Sequence, residues 1–361
     1  MKGLITTYHN SINFGAALQS YALQQTLTKI GVENKLLLME SKKKKTKYNV
    51  KNFVKSRLNG LYNLVHAKKI AVGQKRFLDF FENWHNSTDK YKSFDELLKN
   101  PPKADAYISG SDQVFNPISL NPAFFLQFGD KETKRISYAA SLGVKKIPEG
   151  KKEEFKRFVD VFDKISLREK MAVEEFEKVT GITPEVNIDP SFLLSKDEWK
   201  SVESDLCAKE IKKPYILVYA IYNPKWLSKT LFDLNKKTGY EIVLVSYKGF
   251  PTIYHNKCVM TAGPREFLGL IQNAKMVISS SFHGNVFAMI YKKPFYAVVN
   301  PDAPDRIMSL LKLFRMEERQ IKPTDKAEEM NFSIDYAGFD KILEAETKRS
   351  EDYLKNTLFG E

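Results

Sequence analysis

An α/β protein of two doubly wound, Rossmann-like domains facing a cleft is predicted by three features of this 361-residue chain. Short β-forming apolar runs alternate with helical periodicity along both halves, the pattern of parallel sheets with crossover helices. Several runs end in clusters of small polar residues and glycine, as strands do at the ligand-binding edge of an open sheet. The length suggests about two domains at ~150 residues each. Hydrophobic residues make up 43% of the chain, enough for ordinary cores.

The elements follow in order. Leu4–Tyr8 reads as a strand, His9–Gly15 as a loop, and Ala16–Ile30 as a helix with apolar residues at 18, 22, 23, 27 and 30. Val32–Met39 is the next strand and Lys75–Trp84 a helix. Ala106–Ser109 and Arg135–Ala139 are strands, ending in Gly110-Ser111-Asp112-Gln113 and Ala140-Ser141-Leu142-Gly143. Lys152–Phe162 is helical, Ile165–Leu167 a strand, and Arg168-Glu169 opens a helix to about Val179. Val186–Ile188 is a strand ending in Asp189-Pro190-Ser191. The charged stretch Ser204–Lys213 reads as a charged helix end or a linker, and the first domain spans 1–205. A second domain, 206–335, starts with the strand Tyr215–Ala220. It continues as helix Trp226–Thr238, strand Glu241–Val245, helix Pro264–Asn273, strand Met276–Ser279, helix Gly284–Ile290, strand Phe295–Val299 and helix Ile307–Leu313. The tail, 336–361, closes with a helix over Tyr336–Leu358.

Composition excludes several classes. Cys207 and Cys258 stand far apart, so neither a disulfide framework nor a zinc cluster is expected, and a reducing cytoplasm fits. No signal peptide and no apolar run of ~18 residues is read. The net charge of +13 sits in one segment: residues 41–76 hold twelve Lys/Arg and no acid, and the rest of the chain carries +1. Within it Val50, Phe53, Val54, Leu58, Leu61, Tyr62 and Val65 recur at helical spacing. That is the pattern of a basic amphipathic helix on an anionic membrane surface, or of a helix packed on the domain with its lysines in water. No nucleic-acid motif accompanies it, so nucleic acid is not an expected partner. Metal-ligand spacing, phosphate-binding glycine loops and a nucleophile elbow are all absent.

The strand ends supply the candidate site. Val277–Ser281 ends an apolar run in three serines, followed by Phe282, His283 and Gly284 at the start of a helix. His283 is the leading candidate for proton transfer, and N–H groups at the helix start favour an anion. Gly15 lets the backbone approach a ligand, while Asn13 contacts a ligand or caps the helix. Asp112 and Gln113 form a polar turn that contacts a ligand or only itself. Ser141 lies in a small-residue turn. Arg168 follows a strand, where it binds a phosphate or carboxylate in a fork or forms a surface ion pair. His9 reaches the cleft from the first loop, whereas His66 and His85 look structural.

Together, Tyr8–Gln19, Gly110-Ser111-Asp112-Gln113, Tyr138-Ala139-Ala140-Ser141, Ser166-Leu167-Arg168-Glu169, Asp189-Pro190-Ser191 and Ser281-Phe282-His283-Gly284 resemble the polysaccharide pyruvyl transferase family, in order, over residues 1 to about 320. The resemblance implies a fold similar to B-type glycosyltransferases. It implies transfer of a pyruvyl group from phosphoenolpyruvate to two hydroxyls of a sugar, giving a cyclic ketal. The donor is a substrate, and no cofactor or metal is implied. His283 matches the family's catalytic histidine and Arg168 the arginine that holds the donor. The family's Arg-Leu-His-Gly reads Ser281-Phe282-His283-Gly284 here, so another cation, Arg306 or Lys292, is expected to replace its arginine. Donor binding is then assigned to Ser281, Phe282, Gly284, Arg306, Asn13 and Gly15, and acceptor binding to His9, Asp112, Gln113 and Ser141. The acceptor is a sugar of a cell-surface polysaccharide or its lipid-linked precursor, placing the protein in the cytoplasm or at the inner membrane face. Two other readings stand beside this one: a nucleotide-sugar glycosyltransferase, and a non-catalytic binding protein of the cell envelope.

Overall fold

The computed structural model describes residues 1–40, 60, 62–246, 251–301 and 305–360. The first sheet is formed by β1 (Lys2–Thr6), β2 (Glu33–Leu36), β3 (Ala106–Ser109) and β4 (Lys134–Ser137), all parallel in the order β2-β1-β3-β4. The short pair β5 (Ser166–Leu167) and β6 (Glu185–Val186) continues it, bridged to β4 through Ile136–Lys164 and Ala140–Leu167. The second sheet contains β7 (Tyr215–Tyr219), β8 (Glu241–Val245), β9 (Lys257–Val259), β10 (Met276–Ser279), β11 (Phe295–Val298) and β12 (Gln320–Ile321). It too is parallel, in the order β12-β11-β10-β7-β8-β9. This is the expected fold of two Rossmann-like units.

Each sheet reverses its strand order once, between β1 and β3 in the first and between β7 and β10 in the second. Crossover connections leave opposite faces at such a point and open a crevice beyond the strand ends. The loops there are Thr7–Asn13, Gly110–Asp112 and Ser280–Ser281, the segments whose sequences stood out.

The two sheets share one core. Ile5, Leu18 and Ile108 belong to the same buried cluster as Leu217, Val277 and Phe287. Phe14 stacks on Phe267 at 4.5 Å, and Trp199 meets Phe287 edge-on at 5.0 Å. The units are therefore packed together. The helix Ala337–Phe359 returns to the first sheet, where Tyr353 OH donates to Ser137 O at 2.8 Å.

Several boundaries move for identifiable reasons. The first helix is Phe14–Lys29, two residues earlier than expected, because the Asn13 side chain accepts from Ala16 N and caps it. Arg168 N donates to Ala140 O and keeps that residue extended; Glu169 then caps a 3₁₀ turn, Lys170–Ala172, that runs into the α-helix Val173–Thr180. The helix expected from Gly284 begins at Phe282, capped by Ser281, whose Oγ accepts from Gly284 N at 3.4 Å. The strands β9 and β12 and the helix Phe94–Lys99 were not anticipated; each is six residues or shorter, too brief to show a period. Of the basic segment, residues 41–59 and 61 lie outside the described residues, with Val50, Phe53, Val54, Leu58 and Leu61 among them. Its end runs into the helix Ala67–Trp84, which starts eight residues before the expected Lys75. Arg76 points inward, Nη1 donating to Thr261 O at 2.8 Å and to Cys207 Sγ at 3.0 Å. No described helix is long and apolar enough to cross a membrane.

Two buried histidines lie against each other in the first unit, His9 and His85, with ring centroids 6.1 Å apart. Burial, and then the neighbouring His9, push His85 down to about 3; burial also lowers His9. The unfolded chain regains ordinary imidazoles near 6.5, so it takes up protons that the folded state refuses. Stability is expected to be constant above pH ~6.5 and to fall as pH drops toward His85's lowered value. A thermal melt series checks this: the His85→Gln variant should show a shallower acid slope than the parent, and an unchanged slope would refute it.

Candidate active site

The site is assembled from the crevice loops around one carboxylate. Asp189 follows β6 and is 1% exposed. Its Oδ1 accepts from Ser191 N at 3.0 Å. Its Oδ2 lies 2.9 Å from Arg168 Nη1, 3.3 Å from Ser111 Oγ and 3.3 Å from His283 Nε2. The histidine contact is within ion-pair reach, though the ring is not aligned for a hydrogen bond. Burial opposes a charge on Asp189. His283 and Arg168 outweigh it and hold the carboxyl below the usual carboxylate range.

Arg168 is buried between two acids. Nε donates to Glu169 Oε1 at 2.9 Å, and the guanidinium lies 4.0 Å over the Phe282 ring. Its Nη2 is buried with no hydrogen-bond partner among the described residues. Burial alone would disfavour the cation, but Glu169, Asp189 and Asp112 raise its pKa further. A permanent charge with one free donor is thus fixed beside the histidine.

His283 occupies the first turn of its helix and is 5% exposed. Its ring rests on the bare backbone of Gly15 at the start of the helix Phe14–Lys29: a Cβ at Gly15 would lie 2.1 Å from Nδ1 and 2.4 Å from Cγ. Gly15 is glycine because an imidazole from the other unit occupies the space. Gly284 is likewise a packing residue, since a Cβ there would meet Ser279 Oγ at 2.2 Å. Its N–H is satisfied by Ser281, so the expectation that Gly284 offers a free donor to an anion is corrected.

Asp112 has φ 70 and ψ −170, backbone space that non-glycine residues rarely enter and that is favoured at ligand sites. Its Oδ1 accepts from Gln113 N at 2.9 Å. With its amide turned so that the oxygen faces the guanidinium, Gln113 accepts from Arg306 Nη1 and Nη2, at 2.9 and 3.2 Å. Burial and the nearby Arg168 lower the Arg306 pKa, against Asp112 and Glu169. Of the two replacement cations, Arg306 is at the site. Lys292 is not, because its Nζ pairs with Asp340 at 2.6 Å on the surface.

Arg168, Arg306, Asp189 and Phe282 line a cavity of about 600 Å³ closed on one side by the C-terminal helix. Five cations line it, with Lys170, Lys312 and Arg349 added to the two arginines, against the carboxylates Glu169, Asp189 and Glu346. The arrangement can bind a small anion, exclude much of the solvent and move a proton nearby. Of the expected site residues only Arg168, Phe282 and Arg306 line this cavity; His283 lies behind Asp189, and Ser281, Gly284, Asn13, Gly15, Asp112, Gln113, His9 and Ser141 are not among the lining residues. His9 Nδ1 is bonded to Thr7 O at 3.0 Å, and Ser141 Oγ accepts from Gly143 N at 3.2 Å. Asn13 is the helix cap. Asp189 was missed as a site residue. Its signal was an acid directly after a strand, of the same kind as Asp112. Among the described residues no His, Cys, Asp and Glu group is placed to hold a metal ion.

Comparison with known proteins adds three findings. The family model for polysaccharide pyruvyl transferase matches residues 13–302. No match was found among curated proteins. Among solved structures, UDP-GlcNAc 2-epimerase from Neisseria meningitidis, bound to UDP-GlcNAc, aligns with a TM-score of 0.57 at 12% identity, covering 100% of both chains. The UDP-GlcNAc 2-epimerase from Methanocaldococcus jannaschii aligns with a TM-score of 0.52 at 13% identity, covering 96% of this chain and 92% of that one. At such identities the likeness is one of fold.

Proposed function

Because the chain belongs to the polysaccharide pyruvyl transferase family, we propose that it transfers a pyruvyl group from phosphoenolpyruvate to two hydroxyls of a sugar, in a cell-surface polysaccharide or its lipid-linked precursor. The observation that carries this reading is the pair of arginines at one cavity, Arg168 buried and Arg306 half-buried, beside a histidine backed by an ionised acid. Phosphoenolpyruvate brings a carboxylate and a phosphate, and each suits a guanidinium fork. Arg306, held by Gln113, takes the place of the family arginine that Ser281 lacks. Arg168 offers Nη2.

The chemistry then assigns His283 a proton. The donor's methylene carbon is protonated, leaving a cation at C2. One sugar hydroxyl attacks C2 and yields its proton to the histidine, and the C2–O bond to phosphate breaks. The second hydroxyl closes the ketal and loses its proton. His283 exchanges the proton, and Asp189, with Oδ2 3.3 Å from Nε2, stabilises the charged imidazole. The arginines stabilise the departing phosphate.

Calorimetric titration with phosphoenolpyruvate tests this reading, with uridine diphosphate as the competing ligand. Saturable phosphoenolpyruvate binding is expected, weakened by Arg306→Gln roughly 10–100-fold, as for a lost charged hydrogen bond. Binding of uridine diphosphate alone would instead favour a nucleotide-sugar enzyme.

The end of the basic segment supports a membrane partner. Leu64 and Val65 are 74% and 70% exposed, and Lys68, Lys69 and Lys75 are exposed on the same stretch. Sedimentation with phosphatidylglycerol vesicles, but not phosphatidylcholine vesicles, is expected at about 0.15 M salt. The variant Leu64→Asp with Lys68→Glu should lose it. Equal sedimentation with both lipids would end the membrane reading.

A further inference from the structure

One oxygen serves both Arg168 and His283 in this site. Asp189 Oδ2 lies 2.9 Å from Arg168 Nη1 and 3.3 Å from His283 Nε2, while Oδ1 is occupied by Ser191 N. Arg168 is itself divided between Asp189, Glu169 and a free Nη2. Whatever draws the guanidinium away from Oδ2 leaves more of the carboxylate's charge for the imidazole.

We propose that Asp189 couples donor binding to protonation of His283: an anion taken by Arg168 loosens its hold on Oδ2, and the imidazole takes up a proton from solvent before the chemistry begins. The inference rests on the proposed donor. Asp189 is a positioning residue, acting through the histidine. In a buried site a charge a few ångströms away acts strongly, so a small shift of the arginine is felt at the ring. The groups facing the pair favour this route. The helix that carries His283 has no other ionisable side chain over Phe282–Ile290. The helix Phe14–Lys29 presents Gly15 to the ring, and its ionisable residues are Tyr21 and Lys29. Asp189 faces the ring directly; Arg168, Glu169, Asp112 and Arg306 stand behind it.

The proton balance closes over a turnover. Solvent supplies one proton to the imidazole as the donor binds, and the imidazole delivers it to the methylene carbon. The first sugar hydroxyl returns a proton to the imidazole, which releases it to solvent as the products leave. The second hydroxyl's proton leaves with phosphate. The acid is thus formed only when a donor is present to use it.

Proton uptake is read by titrating phosphoenolpyruvate into the full-length protein at about pH 7.5, in two buffers of different ionisation heat. The donor's phosphate, with its second ionisation near 6, is then largely ionised. Uptake of roughly half to one proton per donor is expected in the parent protein. Uptake should vanish in His283→Gln and in Asp189→Asn, with donor binding retained. Binding without uptake in the parent overturns the coupling and leaves the donor assignment standing. Uptake that persists in His283→Gln also overturns it, even if Asp189→Asn fails to fold. An absence of phosphoenolpyruvate binding removes the proposed donor, and the coupling with it.

Discussion

Replacing His283 by alanine is expected to lower turnover by roughly 10²–10⁴-fold, the range for loss of a positioned acid or base. Phosphate release from phosphoenolpyruvate in the presence of acceptor is the readout. The fold should survive, because the helix carrying His283 is capped by Ser281 and its following residues, Val286, Phe287, Ala288 and Met289, are fully buried. Asp189 keeps Arg168, Ser111 and Ser191 as partners, so no buried charge is left alone. Donor affinity should fall only by the roughly 2–10-fold that the coupled proton contributes, since the cavity's arginines remain. Near-native turnover in a folded variant would remove His283 from the chemistry.

The second large effect comes from a single methyl group. In Gly15→Ala the new Cβ would sit 2.1 Å from Nδ1, 2.4 Å from Cγ and 2.8 Å from Cβ of His283. The ring cannot simply turn aside, because its own Cβ is in the way and Asp189 lies close to Nε2. One helix must move against the other. Overpacking of this kind costs about 1–3 kcal/mol, and a displacement of ~1 Å at a reacting group costs on the order of 10²-fold in rate. The double variant separates this from a generic helix effect. In a His283→Gly background, which removes the ring and its Cβ, the methyl has room, so Gly15→Ala should then destabilise far less, giving a strongly non-additive cycle in thermal melts. Additive losses would mean that Gly15 serves something other than the imidazole.

The fold was legible where buried parallel strands announce themselves. Ala106–Ser109, Glu241–Val245 and Met276–Ser279 fall on their expected residues, as does the helix Pro264–Asn273 with proline at its first turn. Caps were harder to read. Asn13 and Ser281 each start a helix by accepting a backbone N–H, and in a sequence a capping residue looks like any other polar loop residue. The same ambiguity runs through the site. His283, Arg168, Gly15 and Arg306 stood out by position or by resemblance, and the fold brings them to one place. What joins them is Asp189, 94 residues before His283, and nothing local to either residue marks that contact. Nor could spacing reveal that Gly15 exists for a ring on the other sheet, or that Gln113 serves Arg306.

The shared core has a consequence for how the protein is made. Phe14, Leu18 and Trp199 emerge from the ribosome long before Phe267 and Phe287, which cover them. At about 5–20 residues per second the uncovered face waits on the order of ten seconds for its partner, a period in which it is open to aggregation or a chaperone. Once the last helix reaches Ser137, the halves should melt as one transition, and a chain ended near residue 205 should be recovered only as insoluble material.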